Sequence, residues 1–222
     1  MDTNEPPPQP HDDNTHHCND TPSRYQFLVD TYRTEIEKVL GVWAVFDDTD
    51  LHTRPHTTDR RGRNLLEQMI HQSVSENLWF ARMLGIIVTD NPLPATESRL
   101  NFMALYRHNA ALRLKILATK PDAWWEQEVD FFETRRTRAW VMTRRIAHTA
   151  HHRGQQTTLL RQQNHRLHST YGPTADTGGL MHHHAPVIYP YPDLDTLLHE
   201  EQNNRNKAPL PGPSEHAPTE RG

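Results

Sequence analysis

The sequence predicts an all-α protein, an antiparallel four-helix bundle with disordered N- and C-terminal tails. Four stretches of roughly 20 to 28 residues carry apolar side chains at helical spacing. No convincing set of alternating polar and apolar residues predicts a sheet. Both ends of the chain are rich in Pro, His and Asn and poor in apolar residues. Such composition is typical of segments that pack no core of their own.

The first two helices are predicted over residues 22–44 and about 64–85. The first follows Thr21-Pro22-Ser23, which supplies a cap and a helix-start proline, and its apolar positions are Leu28, Tyr32, Ile36, Val39 and Trp43. The second has Asp59 and Asn64 as candidate caps and Gly85 as its stop signal, and its apolar positions are Leu66, Met69, Ile70, Val74, Leu78 and Met83. Both patterns are amphipathic.

The third and fourth helices are predicted over residues 96–119 and 138–164. Thr96 and Arg99 flank the start of the third, which ends before Pro121 and whose apolar stripe is Leu100, Met103, Ala110, Leu114 and Leu117. Thr134 and Thr137 are the candidate caps of the fourth. Between them, residues 123–133 contain pairs of aromatic residues, and either a short strand or a cover for one end of the bundle fits this segment.

These elements divide the chain into an acidic Pro/His-rich tail (1–21), the bundle (22–164) and a low-complexity, largely irregular C-terminal tail (165–222). The net charge is −4 and basic residues form no clustered stripe, so we expect no nucleic-acid partner. No segment approaches a membrane span or an export signal. We therefore expect a cytoplasmic chain without a membrane partner. Cys18 is the only cysteine, which excludes a disulfide framework within the chain and a thiolate metal cluster.

The fourth predicted helix carries His148 and His152 one turn apart on the same face. Imidazoles at this spacing can bind one divalent metal ion. The chain has 17 histidines, however, and about one such pair is expected by chance. From spacing alone, two buried histidines hydrogen-bonded to protein groups explain the pattern equally well. Arg144 and Arg145 fall near this face; a solvated helix start is their more common role, and contact with an anionic substrate is the alternative.

The second predicted helix supplies a third histidine, His71. It shares a face with Val74 and Leu78, so we expect its ring to point inward. Taken alone, it is more commonly a hydrogen-bonded core histidine. Together with the pair in the fourth helix it would form a three-histidine site with positions open for water or substrate. Glu67, one turn before His71, is a candidate general base, although a solvated or ion-paired carboxylate is the more common role.

The order of His71 followed by His148-x-x-x-His152-Arg-Gly-Gln155 resembles the DinB/YfiT-like superfamily over roughly residues 23–164. The resemblance implies a divalent metal ion, commonly zinc or nickel, held inside a four-helix bundle. It implies that His71, His148 and His152 are the ligands. It assigns no chemical role to Gln155.

The resemblance also implies metal-dependent chemistry on a small molecule. One reaction is transfer of a low-molecular-weight thiol, and the other is hydrolysis, since an open metal position lowers the pKa of a bound thiol or water. The alternative is a non-catalytic, metal-stabilised helical module for binding or stress response. Pairing into a homodimer stays open. The runs His182-His183-His184 and Tyr189-Pro190-Tyr191-Pro192 could bind metal or a partner, but low-complexity tail is the simpler interpretation.

Overall fold

The computed structural model describes residues 22–217 and residue 219, and the acidic tail predicted over 1–21 lies outside them. Four long helices form the antiparallel bundle, which confirms the predicted fold class. The helices are α1 (Gln26–Val45), α2 (Leu65–Arg82), α3 (Arg99–Leu117), α4 (Asp122–Glu126), α5 (Arg138–Gln162) and α6 (Leu194–Gln202), with a hairpin of β1 (Glu128–Phe131) and β2 (Thr134–Thr137). None of the helices in the described part of the chain is long and apolar enough to cross a membrane.

Side-chain caps determine where three of the long helices begin. Asn64 Oδ1 accepts a hydrogen bond from the Glu67 backbone N–H at 2.8 Å, and the Glu67 carboxylate accepts from the Asn64 N–H at 3.0 Å. This capping box satisfies two backbone donors at the start of α2. Ser98 caps α3, where Thr96 was predicted to flank the start, and Thr137 caps α5.

The long helices are arranged so that α1 and α2 occupy opposite corners of the bundle. Each of them packs against both α3 and α5. The buried face of α2 differs from the predicted one, because Val74 is only half-buried and Leu78 is 40% exposed. Gln72 and Glu76 are fully buried instead. The core of the bundle therefore contains polar groups from α2, and they need partners on the other helices.

Glu76 is the centre of a buried polar cluster. Its carboxylate accepts hydrogen bonds from the hydroxyls of Tyr32 and Tyr106, each at 2.7 Å. Burial raises the pKa of both tyrosines well above the usual value, so both hydroxyls stay protonated and donate. The Arg113 guanidinium donates to the same carboxylate at 2.8 Å, and Arg145 Nε lies 3.8 Å from it. One carboxylate thus faces two buried guanidinium groups.

The segment 123–133 combines both of the structures that its sequence allowed. It forms α4 and then β1, which pairs antiparallel with β2. Phe131 contacts Trp79 of α2 and Trp140 of α5, with ring centroids 5.3 and 4.9 Å apart. The hairpin therefore lies beside α2 and α5, where its aromatic residues add a wall to that side of the bundle.

Residues 165–217 pack against the bundle, which differs from the loosely packed tail that their composition predicts. Helix α6 lies against α1 and α3. Its Glu201 side chain is fully buried and pairs with Arg99 at 2.6 Å and Lys207 at 2.9 Å. Tyr191 donates to the same carboxylate at 2.6 Å, so this part of the Tyr-Pro run packs within the chain. Most of the segment has no regular secondary structure, yet charged and apolar contacts hold it in place.

Candidate metal centre

The three predicted histidines meet where α2 packs against α5. One ring nitrogen from each of His71, His148 and His152 lies within 4.8 Å of the other two. His148 Nε2 and His152 Nε2 are 3.3 Å apart, and the His71 ring lies 4.7 Å from the His152 ring between centroids. His152 is 3% exposed, while the other two are half-buried. The cluster can therefore be reached from solvent on one side.

Gln155 orients the His152 ring. Its Oε1 atom lies 2.9 Å from His152 Nδ1, and because a carbonyl oxygen only accepts, this contact assigns the proton to Nδ1. The lone pair of His152 Nε2 then points toward the other two histidines. The Gln155 amide nitrogen lies 3.1 Å from His151 Nε2 and can donate to it. Such a partner on the second nitrogen is typical of metal-binding histidines, and the sequence resemblance had assigned Gln155 no role.

The environment keeps the three imidazoles neutral. Burial, followed by the nearby charge of Arg145, lowers the pKa of His148 to about 3. Burial is also the main cause that lowers the pKa of His152 to about 4. The pKa of His71 falls because of burial and the charge of Arg63. A histidine must be neutral to bind a metal ion, so all three are in the binding form at neutral pH.

The donor set fits a divalent metal ion. The facing Nε2 atoms of His148 and His152 are both acceptors when His152 carries its proton on Nδ1 and His148 on its own Nδ1. Two facing lone pairs at 3.3 Å repel unless a proton or cation lies between them. Imidazole nitrogens suit zinc, nickel and copper among biological metals. Three protein ligands leave at least one coordination position free, which is the arrangement of catalytic sites.

Comparisons with known proteins identify the family. The model of the DinB family matches residues 27–178. The chain belongs to the DinB family. Similar solved structures include a DinB-like protein from Bacillus cereus ATCC 10987, with a TM-score of 0.57 and 19% identity over 66% of this chain and 97% of that chain. A DinB-like protein from Bacillus subtilis gives a TM-score of 0.50 and 14% identity over 64% and 94%. A comparison with curated proteins finds no match.

The DinB match ends before α6, so the packed segment after residue 178 lies beyond it. The structure also decides between the alternatives for the arginines and for Glu67 in the DinB bundle. Arg144 is exposed, whereas Arg145 is fully buried and donates to Ser75 Oγ at 3.1 Å. It therefore faces the core and not a substrate. Glu67 is bound by Arg54, which lowers the pKa of the carboxylate, and by the capping box. These contacts make Glu67 a helix cap and a poor general base.

A second group of possible ligands in this DinB chain is satisfied by protein contacts. It consists of Asp47, Asp50 and His165. Asp50 pairs with His165 Nε2 at 2.8 Å, and its carboxylate also accepts from the Asp47 backbone N–H at 2.7 Å. The Asp47 carboxylate pairs with Arg205 at 2.7 Å. Because each carboxylate already has a partner, the three-histidine cluster is the stronger candidate metal centre.

Proposed function

We propose that His71, His148 and His152 bind one divalent metal ion, zinc or nickel, and that the DinB chain is a metal-dependent transferase of a low-molecular-weight thiol. The observation that carries the proposal is the meeting of three neutral imidazole nitrogens within 4.8 Å, from only two helices. Three ligands leave room for a substrate atom. Hydrolysis of a small molecule is the second reaction that such a site supports.

The surroundings of the cluster favour thiol transfer over hydrolysis. A metal ion in this site supplies Lewis acidity and lowers the pKa of a thiol or water that binds to it. A deprotonated thiol is itself a nucleophile and needs no base from the protein. Hydrolysis draws on a carboxylate or histidine as general base. The charged groups that act most strongly on the three imidazole pKa values include no carboxylate, and the one histidine among them that is not a proposed ligand is the exposed His151, so hydrolysis would have to use His151 as its base.

Aromatic residues limit one side of the site. The Trp79 ring stacks on His148 with centroids 5.8 Å apart and an interplanar angle of 28°. Phe131 and Phe132 contact Trp79 edge to face, and Phe132 is 72% exposed. This wall excludes water from one face of His148 and offers an apolar surface to the electrophile that receives the thiol.

Metal content tests the proposed site. We expect mass spectrometry of the untagged full chain to find about one zinc or nickel ion per molecule. The variants His71→Ala, His148→Ala and His152→Ala should lose it, because removal of one ligand in three removes much of the affinity. His108→Ala is the matched control, since His108 is an exposed histidine of α3 and lies outside the cluster. Retention of one tightly bound ion in any of the three ligand variants contradicts the site.

Cobalt substitution tests the reaction class. In the cobalt-loaded protein, 2-mercaptoethanol should produce a thiolate-to-cobalt charge-transfer absorption, because its sulfur fills the open position. The His108→Ala variant should give the same band. If the absorption spectrum of the cobalt-loaded protein does not change when the thiol is added, thiol transfer is contradicted. Turnover of ester or amide substrates would then support hydrolysis, and its absence would support a non-catalytic module.

A further inference from the structure

A groove lies beside the histidine cluster, between α2, α5 and the loop before α2. It has a volume of about 300 Å³, and its lining includes Gln68, Gln155, Arg61 and Arg63. Gln68 precedes His71 by three residues, and Gln155 follows His152 by three. Residues three apart on a helix lie about one turn apart on the same side. The groove therefore begins one helical turn from the candidate metal ligands, at the end opposite Trp79.

Arg63 gives this groove a positive charge that no residue described by the structure pairs. The other arginine in the lining, Arg61, is paired with Asp59 at 2.7 Å. Arg63 is exposed, and within the described residues it has no hydrogen-bond or ion-pair partner. It lies close enough to the cluster to lower the pKa of His71 and His152. A guanidinium in this position can bind a carboxylate through two parallel hydrogen bonds.

Gln68 adds an unused hydrogen-bond acceptor. It is 4% exposed and its Oε1 atom has no hydrogen-bond partner. Leaving a buried polar atom unpaired is costly, and such atoms usually have a partner in the protein, in water or in a ligand. Oε1 itself is fully enclosed, and a turn of the Gln68 amide that exchanges its oxygen and nitrogen would present it to an N–H or O–H group of a ligand in the groove. The lining of the groove thus contains a cation and, just beneath its surface, an unsatisfied amide.

We propose that this groove binds the acidic end of the substrate, with Arg63 pairing a carboxylate and Gln68 Oε1 accepting from an adjacent N–H or O–H. The substrate class is a small acid that carries an amide or hydroxyl group next to its carboxylate. The proposal rests on the proposed function for the reactive end of that molecule, which would lie at the histidine cluster. Recognition of the acidic end depends only on the groove and can be measured without metal.

N-acetylglycine is a suitable probe because it has a carboxylate and an adjacent amide N–H. We expect saturable backbone amide shifts in nuclear magnetic resonance spectra when it is titrated into the full chain, both metal-free and zinc-loaded. The neutral N-acetylglycinamide should give no saturable shifts. Arg63→Gln should weaken binding of N-acetylglycine by about tenfold, in keeping with loss of a charge-assisted pair. Arg60→Gln, which makes the same charge change on an exposed side chain outside the lining, should change it less than about twofold.

The outcomes separate the groove from the metal site. Equal weakening by Arg63→Gln and Arg60→Gln would show a general effect of surface charge and would overturn the proposal, as would the absence of saturable binding. The zinc content of the same samples is measured in parallel. Binding that depends on Arg63 in a protein without zinc affinity would refute the proposed function and leave the groove. Zinc binding in a protein that does not bind N-acetylglycine would refute the groove as a substrate site and leave the proposed metal site standing.

Discussion

Replacement of Glu76 by Gln tests how the bundle tolerates its buried charges. The side chain keeps its shape and loses its charge. In the native protein the carboxylate accepts from Tyr32, Tyr106 and Arg113, and it is also the nearest anion to Arg145. After Glu76→Gln, the two guanidinium groups remain buried with no negative partner in the part of the chain that the structure describes.

The expected loss of stability follows from the burial of these groups. The side chains of Glu76 and Arg113 are 0% and 2% exposed, so water cannot screen the remaining charge. Removal of one partner from a buried ion pair costs about 3–5 kcal/mol. The new amide also brings two N–H donors into a cluster whose other members already donate. We therefore expect the free energy of unfolding to fall by about 3–5 kcal/mol.

Urea denaturation followed by circular dichroism measures this change. Glu97→Gln is the control, since Glu97 is exposed, and it should shift the unfolding free energy by less than about 0.5 kcal/mol. Adding Arg113→Met to Glu76→Gln should restore part of the loss, because it removes one unpaired buried charge. A loss below about 1 kcal/mol in the single variant, within the range of ordinary substitutions, would refute the argument that this carboxylate neutralises the core.

Three further predictions concern the histidine cluster and the C-terminal segment. Gln155→Ala should weaken zinc binding about 10- to 100-fold in a chelator competition assay, because His152 loses the partner that orients it; Gln162→Ala, on the same helix, should leave it unchanged. Burial lowers the pKa of His148 to about 3, below its unfolded value of about 6.5. The contribution of neutral His148 to the unfolding free energy of the metal-free protein is therefore fully present above about pH 6.5 and is lost as the pH falls below that value. In urea titrations, His148→Ala should make the decrease in unfolding free energy at low pH shallower. Glu201→Gln should speed limited proteolysis after α6, because the buried Arg99 and the half-buried Lys207 lose their counterion, whereas Glu215→Gln should not.

Local patterns in the sequence predicted the four long helices, and the family resemblance supplied the set of three histidines that the structure brings together. The spacing of His148 and His152 fixes their shared face, since it depends only on helix geometry. The buried face of α2 was less predictable. Periodicity placed Val74 and Leu78 inside, but Glu76 occupies the core because its partners come from helices 30 to 44 residues away. Such distant pairing cannot be inferred from a local pattern that ranks Glu as a surface residue.

The C-terminal segment shows a limit of composition as a guide. Its few apolar residues predicted a loose tail. The structure instead anchors α6 through Glu201, whose partner Arg99 is 102 residues away, and through the hydroxyl of Tyr191. Composition measures the number of apolar side chains and carries no information about a buried charge cluster.

The ion-pair state of Arg63 could not be predicted either, because the sequence does not say which arginines of a basic loop pair with acidic residues.

The charge balance around the cluster links the proposed metal to the proposed substrate. Glu76 neutralises only one of Arg113 and Arg145, so a net positive charge lies beside His148, and Arg63 adds another at the opposite end. Three neutral imidazoles bring no negative charge to offset a divalent cation. An anion that binds next to the metal relieves this repulsion and strengthens metal binding, and by linkage the metal strengthens anion binding by the same factor. A thiolate or an acidic substrate is therefore favoured over a neutral one by the field of the protein itself.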